Sequence, residues 1–210
     1  MMRVVLLMLA AVTVWGEGAP AAIVDRFVGR FALDRDDVLH FRPVPPHVSL
    51  RRTALKEVRL EVVSANELVN RETGEQYVFD FDGDLVKIGE ASAQRTRVAS
   101  PFDIIGRDVA TGIAEYGRLD ASLLSEERLR VRGVALLEAY NVPAAVALLK
   151  LNTERHAGSA AAHDALATAQ LAAGDTAGAR LSSQKVLEIV PAGQDVYRER
   201  AERRLRESAQ

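Results

Sequence analysis

The chain has 210 residues, 48% of them hydrophobic, with 27 basic and 29 acidic side chains and a formal net charge of −2. This is enough apolar material for one or two packed domains, and the charge balance excludes a global basic field for nucleic acid or a strongly acidic surface. There is no cysteine, so disulfides and thiolate metal sites are excluded, and aromatic residues make up only 5%, few for stacking on bases.

The first 22 residues, MMRVVLLMLAAVTVWGEGAPAA, read as a targeting segment. Arg3 supplies the positive start and Val4–Trp15 the apolar run. Ala19-Pro20-Ala21 is a small-residue end suited to cleavage after Ala21. The apolar run falls short of the roughly 17–25 residues of a comfortable membrane span, and without cysteine it is not a lipoprotein signal. The expectation is an exported protein, periplasmic or secreted, with no stable membrane span once the signal is removed. An uncleaved N-terminal anchor is the alternative.

From Asp25 to about Val98 the pattern is one of short strands, rich in β-branched and aromatic residues: Phe27–Leu33, Val38–Phe41, Val58–Val63, Glu67–Arg71, Gln76–Phe81 and Leu85–Gly89. Turn signals separate them, at Asp36-Asp37, Ser64-Ala65-Asn66, Thr73-Gly74 and Asp82-Gly83-Asp84. In Glu75–Lys87 the residues Tyr77, Phe79 and Phe81 alternate with polar or small neighbours before the turn, which predicts a hairpin. Pro43, Pro45 and Pro46 mark a loop or an edge. An antiparallel sheet or small open barrel over residues 22–100 is expected.

Ser100-Pro101 breaks the chain, and the period becomes helical to the end. Residues 101–125 read as a helical connector, and residues 194–210 as a capping helix. In that helix Val196, Tyr197, Ala201 and Leu205 form one stripe, and Arg198, Glu199, Arg203 and Arg206 face water. Between them lies an internal repeat. In Ser159–Pro191 a first helix carries Leu166 and Ala167, Gly174-Asp175 turns, and a second helix opens at Ala179 and ends at Pro191. A shift of 34 residues places Gly133 opposite Ala167, Ala145 opposite Ala179 and Leu149 opposite Ser183, so residues 126–193 hold two copies. Ala145 and Ala179 are expected where two helices meet closely, and Gly178 on an outer face.

The spacing resembles the tetratricopeptide repeat, whose helix–turn–helix units stack because neither buries its apolar face alone. The resemblance implies a binding scaffold, with Arg130, Leu137, Glu138, Asp164, Thr168 and Leu171 lining a candidate groove for a protein or peptide partner. Members that clamp a terminal carboxylate use Lys and Asn at such places. Here the equivalent positions hold Arg130, Val134, Asp164 and Thr168, and Arg130 alone suits the task. The N-terminal half resembles the small β domain that follows the catalytic domain of many β-lactamase-like serine hydrolases, through Phe27-Val28-Gly29-Arg30-Phe31 and the stretch NRETGEQYVFDFDGDLVKI. The catalytic domain of those enzymes is absent. An isolated Ser182-Ser183-Gln184-Lys185 matches their nucleophile spacing, with no accompanying Ser-Asp-Asn or Lys-Thr-Gly box.

Two other patterns are read as structural. Asp80, Asp82 and Asp84 suggest calcium, but the sixth and twelfth loop positions are Leu85 and Ala91 instead of Gly and Glu, which leaves a hairpin turn. His40, His47, His156 and His163 have no cysteine to complete a zinc site, so no metal site and no cofactor is expected. The reading is therefore an α+β, exported, non-enzymatic protein: a small antiparallel β-sheet or open barrel, then a C-terminal helical repeat domain for protein interaction. The alternative is an accessory or remnant of a β-lactamase-like serine hydrolase that modulates a separate enzyme. A third possibility is a β domain that holds a small apolar ligand.

Overall fold

The computed structural model describes residues 19–190 and 195–207, and the Arg3 and Val4–Trp15 signal features lie outside them. The chain is α+β and its described residues form two units, the first holding 19–34, 38–52 and 56–97, and the second 35–37, 53–55, 98–190 and 195–207.

The first unit is an eight-stranded antiparallel barrel. Its strands are β1 Gly29–Ala32, β2 Val38–Val44, β3 His47–Arg52, β4 Val58–Ser64, β5 Glu67–Val69, β6 Gln76–Asp80, β7 Leu85–Ile88 and β8 Ala91–Arg95. Each pairs with the next, and β1 closes on β8 through Phe31↔Arg95 and Ala32↔Gln94. The open sheet edge considered from sequence is thus closed. Closure removes the unpaired N–H and C=O groups that an edge would expose.

Alternation decides what faces inward. Tyr77 and Phe79 are buried while Val78 between them is exposed. Phe79 is the hub of the interior: its ring centroid lies 4.9 Å from Phe27, 5.6 Å from Phe31 and 5.0 Å from Phe41, all edge-on. Such pairs add about 0.5–1.5 kcal/mol each beyond the area they bury. A short helix α1 (Ala21–Val24) and a single 3-10 turn (Asp25–Phe27) bring Val24 and Phe27 into the same core, which Ala19 joins. These side chains lie inside the barrel.

Two strands, β3 and β8, were not expected from the sequence. β8 reads Ala-Ser-Ala-Gln-Arg, poor strand formers, yet only Ala93 faces the core and Arg95 supplies the closing contacts. The Arg95 guanidinium lies 4.7 Å over the Phe31 ring, donates to Val28 O at 3.1 Å, and pairs with Asp84 at 2.6 Å. β2 continues through Pro43 because β1 begins only opposite Phe41, at Gly29, so from Arg42 onward β2 pairs with β3 alone.

Among the described residues the second unit holds seven α-helices, α2 Pro101–Ile105, α3 Val109–Gly117, α4 Glu126–Glu138, α5 Val142–Arg155, α6 Ala160–Ala172, α7 Thr176–Ile189 and α8 Asp195–Glu207, with a 3-10 turn at Ala121–Leu123 before α4. Ser100 begins α2 with a reciprocal cap, its hydroxyl accepting from Asp103 N while the Asp103 carboxylate accepts from Ser100 N. The expected connector is therefore part of this unit. α3 lies tightly on α2, since a Cβ on Gly112 would stand 2.3 Å from Ile105 Cα. Leu129 and Leu136 of α4, Leu148 and Leu149 of α5, and Ala165, Leu166 and Ala169 of α6 share one core with Ile105 and Tyr116.

That core contains a charge. Arg132 of α4 forms a fully buried ion pair with Asp36, and its Nη2 donates to Asp36 O at 2.8 Å. Burial, and then the adjacent Asp36 carboxylate, push the Tyr116 hydroxyl well above its ordinary pKa. Removing one partner of a buried pair leaves the other uncompensated, at about 3–5 kcal/mol. Asp36→Ala should therefore lower the unfolding free energy of the helical unit, obtained from urea melts, by that much. Arg35→Ala should change it by less than about 1 kcal/mol, because the pair of Arg35 with Glu115 at 3.4 Å leaves the arginine 60% exposed. Circular dichroism at the helical band measures both.

Candidate functional site

The two helical hairpins α4–α5 and α6–α7 repeat one set of local signals at an offset of 34 residues. Ser125 and Ser159 cap α4 and α6, accepting from Arg128 N and Ala162 N. Asn141 and Asp175 cap α5 and α7, accepting from Ala144 N and Gly178 N. At the ends of α4 and α6, Asn141 N donates to Leu136 O and Asp175 N to Gln170 O. The left-handed residue that makes this closure possible is Gly174 in the second hairpin and Tyr140, φ +59°, in the first. Tyr140 is 91% exposed, so the less favourable residue gains no burial there.

Packing inside each hairpin uses the positions matched in the sequence. Gly133 stands against Leu149, whose Cγ would lie 2.4 Å from a Cβ on the glycine, and the corresponding Ala167 and Ser183 are both fully buried. A large residue on one helix is balanced by the smallest on the other. Ala145 and Ala179 are buried too. The expectation for Gly178 is corrected. It is not on a free outer face, because a Cβ there would stand 2.1 Å from Asp175 Oδ2 and 2.4 Å from Gln170 Nε2, crowding the cap of α7.

The candidate groove residues divide into two sets. Arg130 is half-buried and pairs with Glu126 at 3.3 Å, Leu137 is half-buried against the core, and Glu138 and Leu171 are exposed. Asp164 and Thr168 are instead engaged by α8. Arg204 Nη1 lies 2.7 Å from Asp164 Oδ1, Arg200 Nη1 lies 3.2 Å from Oδ2, and Arg204 Nη2 donates to Thr168 Oγ1 at 2.8 Å. The Asp164 side chain is only 7% exposed. Sequence reading missed Arg200 and Arg204. Their spacing of four residues about the fully buried Ala201 was the available signal.

The remaining motifs take local roles. Ser182 is buried and donates to Gln170 Oε1 at 2.7 Å, while Lys185 Nζ pairs with Glu188 at 2.9 Å, so the lysine is not engaged with the serine. Asp80 accepts from Gly83 N at 3.0 Å in the β6–β7 turn. His156 Nε2 donates to Leu124 O at 2.8 Å and His163 Nε2 to Ala157 O at 3.1 Å. Burial lowers the pKa of His163, its largest influence. Among the described residues no three His, Asp or Glu side chains group as metal ligands, and no helix is long and apolar enough to cross a membrane.

Comparison with protein-family models, with curated proteins and with solved structures finds no match to this chain.

The balance at Gly133 and Leu149 generates a test. Gly133→Ala alone should destabilise the helical unit by about 1–3 kcal/mol through overpacking, and Leu149→Ala alone by about 2–5 kcal/mol through a cavity. In the double variant the new methyl enters the space that the leucine leaves. The double variant should then lose at least about 1 kcal/mol less than the sum of the single losses, within the range of couplings for residues in contact. Urea melts of the four proteins give the cycle, and strict additivity would contradict the contact.

Proposed function

We propose that the chain is an exported, non-enzymatic protein-interaction protein, whose helical unit is a tetratricopeptide-like scaffold of two repeats and a cap. The observation that carries this reading is the 34-residue offset relating each cap and turn of α4–α5 to its counterpart in α6–α7. Repeated hairpins stack because each has one apolar face, and the surface left along their first helices suits an extended or helical peptide. Arg130, Leu137, Glu138 and Leu171 are the candidate contacts that remain on that surface. The separate engagements of Ser182 and Lys185 favour a role without catalysis. Export rests on Arg3, Val4–Trp15 and Ala19-Pro20-Ala21.

One observation favours a second reading, as an accessory of a β-lactamase-like serine hydrolase. Phe27 and Phe31 of the short motif behind that resemblance both lie in the barrel core, where such a motif would have a structural reason.

Capture from an extract of the exported fraction, with the mature chain immobilised, tests the main reading. A partner should be retained by the wild-type chain and lost with Arg130→Glu/Leu171→Asp at unchanged helix content. Recovery of the same proteins by both would contradict the assigned surface, and a captured hydrolase would favour the second reading. The mature protein should begin at Ala22 on N-terminal sequencing, a cut that removes Ala19 from the barrel core and the first residue of α1 while leaving Val24 and Phe27 in place. Intact Met1 in a membrane fraction would mean an anchor instead.

A further inference from the structure

The contact between α8 and α6 has the chemistry of ligand recognition. Both oxygens of a nearly buried carboxylate, Asp164, are used by arginines four residues apart, and Thr168 holds the second arginine at another nitrogen. Thr168 completes the set by donating its hydroxyl to Asp164 O at 3.0 Å. Between the arginines in the chain, Ala201 is fully buried in a small cluster with Ala160, Val186 and Val190. The site thus reads one sequence on a helix: Arg-Ala-x-x-Arg.

We propose that the face formed by Asp164 and Thr168 of α6 with Val186 and Val190 at the end of α7 is a docking site for a partner helix carrying two arginines at that spacing, with a small residue after the first, and that α8 occupies it in cis until displaced. The inference rests on the protein-interaction reading and names its partner chemistry. Three observations favour exchange over a permanent cap. The apolar hold on α8 is slight: its cluster has no fully buried leucine, Tyr197 is only half-buried, and Val196 is 51% exposed. The α4–α5 hairpin, by contrast, buries Leu129, Leu136, Leu148 and Leu149. One of the two charged contacts is open to competition, since the Arg200 side chain is 48% exposed and an exposed pair weakens with salt, whereas Arg204 is only 11% exposed and stays with Asp164 and Thr168 until α8 leaves. Finally, Asp164 is too buried to be left empty, so a replacement must bring its own arginine, and helices without one are rejected.

A fluorescein-labelled peptide of residues 195–207, added to the full mature chain, is the probe. Wild type should bind it weakly because its own α8 competes. Arg200→Glu/Arg204→Glu should bind it at least about tenfold more tightly, since an undocked α8 no longer reduces the competent fraction. Adding Asp164→Asn to that variant should abolish binding, as should glutamine at both arginines of the peptide. Equal binding by wild type and the variant, or by the glutamine peptide, would overturn the proposal. A second measurement needs no charge variant. The natural chain has no cysteine, so Val196→Cys takes a single spin label in an otherwise unaltered protein. Excess peptide should raise the mobile component of its spectrum, and an unchanged spectrum at saturating peptide would overturn the proposal. Partner capture without peptide binding would sink this inference and leave the interaction reading standing, whereas peptide binding without any captured partner would do the reverse.

Discussion

A pair of antiparallel helices with apolar residues on one side cannot remove that side from water by itself, and the course of the chain beyond Val98 follows from this constraint. α4 and α5 close on each other through Gly133 and Leu149, but Leu129, Leu136 and Leu148 need further cover. α6 supplies it from one side, and α2 and α3 contribute Ile105 and Tyr116 to the same core. α6 and α7 then present their own uncovered face, which α8 takes up with a smaller and more polar contact. The apolar content of the interface thus falls along the chain, and charge replaces it at the end. That gradient makes the α8 contact the natural place for exchange.

The two buried carboxylates of the helical unit illustrate different uses of one kind of interaction. Asp36 is wholly enclosed with Arg132 beside Tyr116, so the pair is in place only when the unit is folded. Its energetic value lies mainly in the penalty for breaking it. Asp164 is nearly as buried, but one of its arginines is half in water. The first pair is enclosed on both sides, whereas the second keeps Arg204 nearly buried and leaves Arg200 half in water.

Much of this was legible in the chain because it is encoded locally. The alternation of Tyr77 and Phe79, the Asp82-Gly83 turn, and the small residues Gly133, Ala145 and Ala179 each point to an element or a contact without reference to distant residues. β3 and β8 were hidden for opposite reasons. His47, Ser49 and Arg51 make β3 polar on its outer side, and the prolines before it suggest a loop. β8 has no strong strand former, and closure between β7 and β1 holds it in place. Asp36 with Arg132, and Asp164 with Arg200 and Arg204, join residues 96, 36 and 40 positions apart. No periodic pattern signals such pairs. A charged helix face looks alike whether its arginines meet water or a buried carboxylate.

The central claim is that the helical unit is a stack of hairpins, each stabilised by its neighbours, and not one uniform globule. Native-state hydrogen exchange of the full chain tests it most directly, because opening free energies in a stack depend on how many neighbours an element has. Protection should be highest in α5 and α6, lower in α7 and lowest in α8, and α8 protection should fall as salt is raised. Equal protection from α4 to α8, lost in a single step at every salt concentration, would contradict the account.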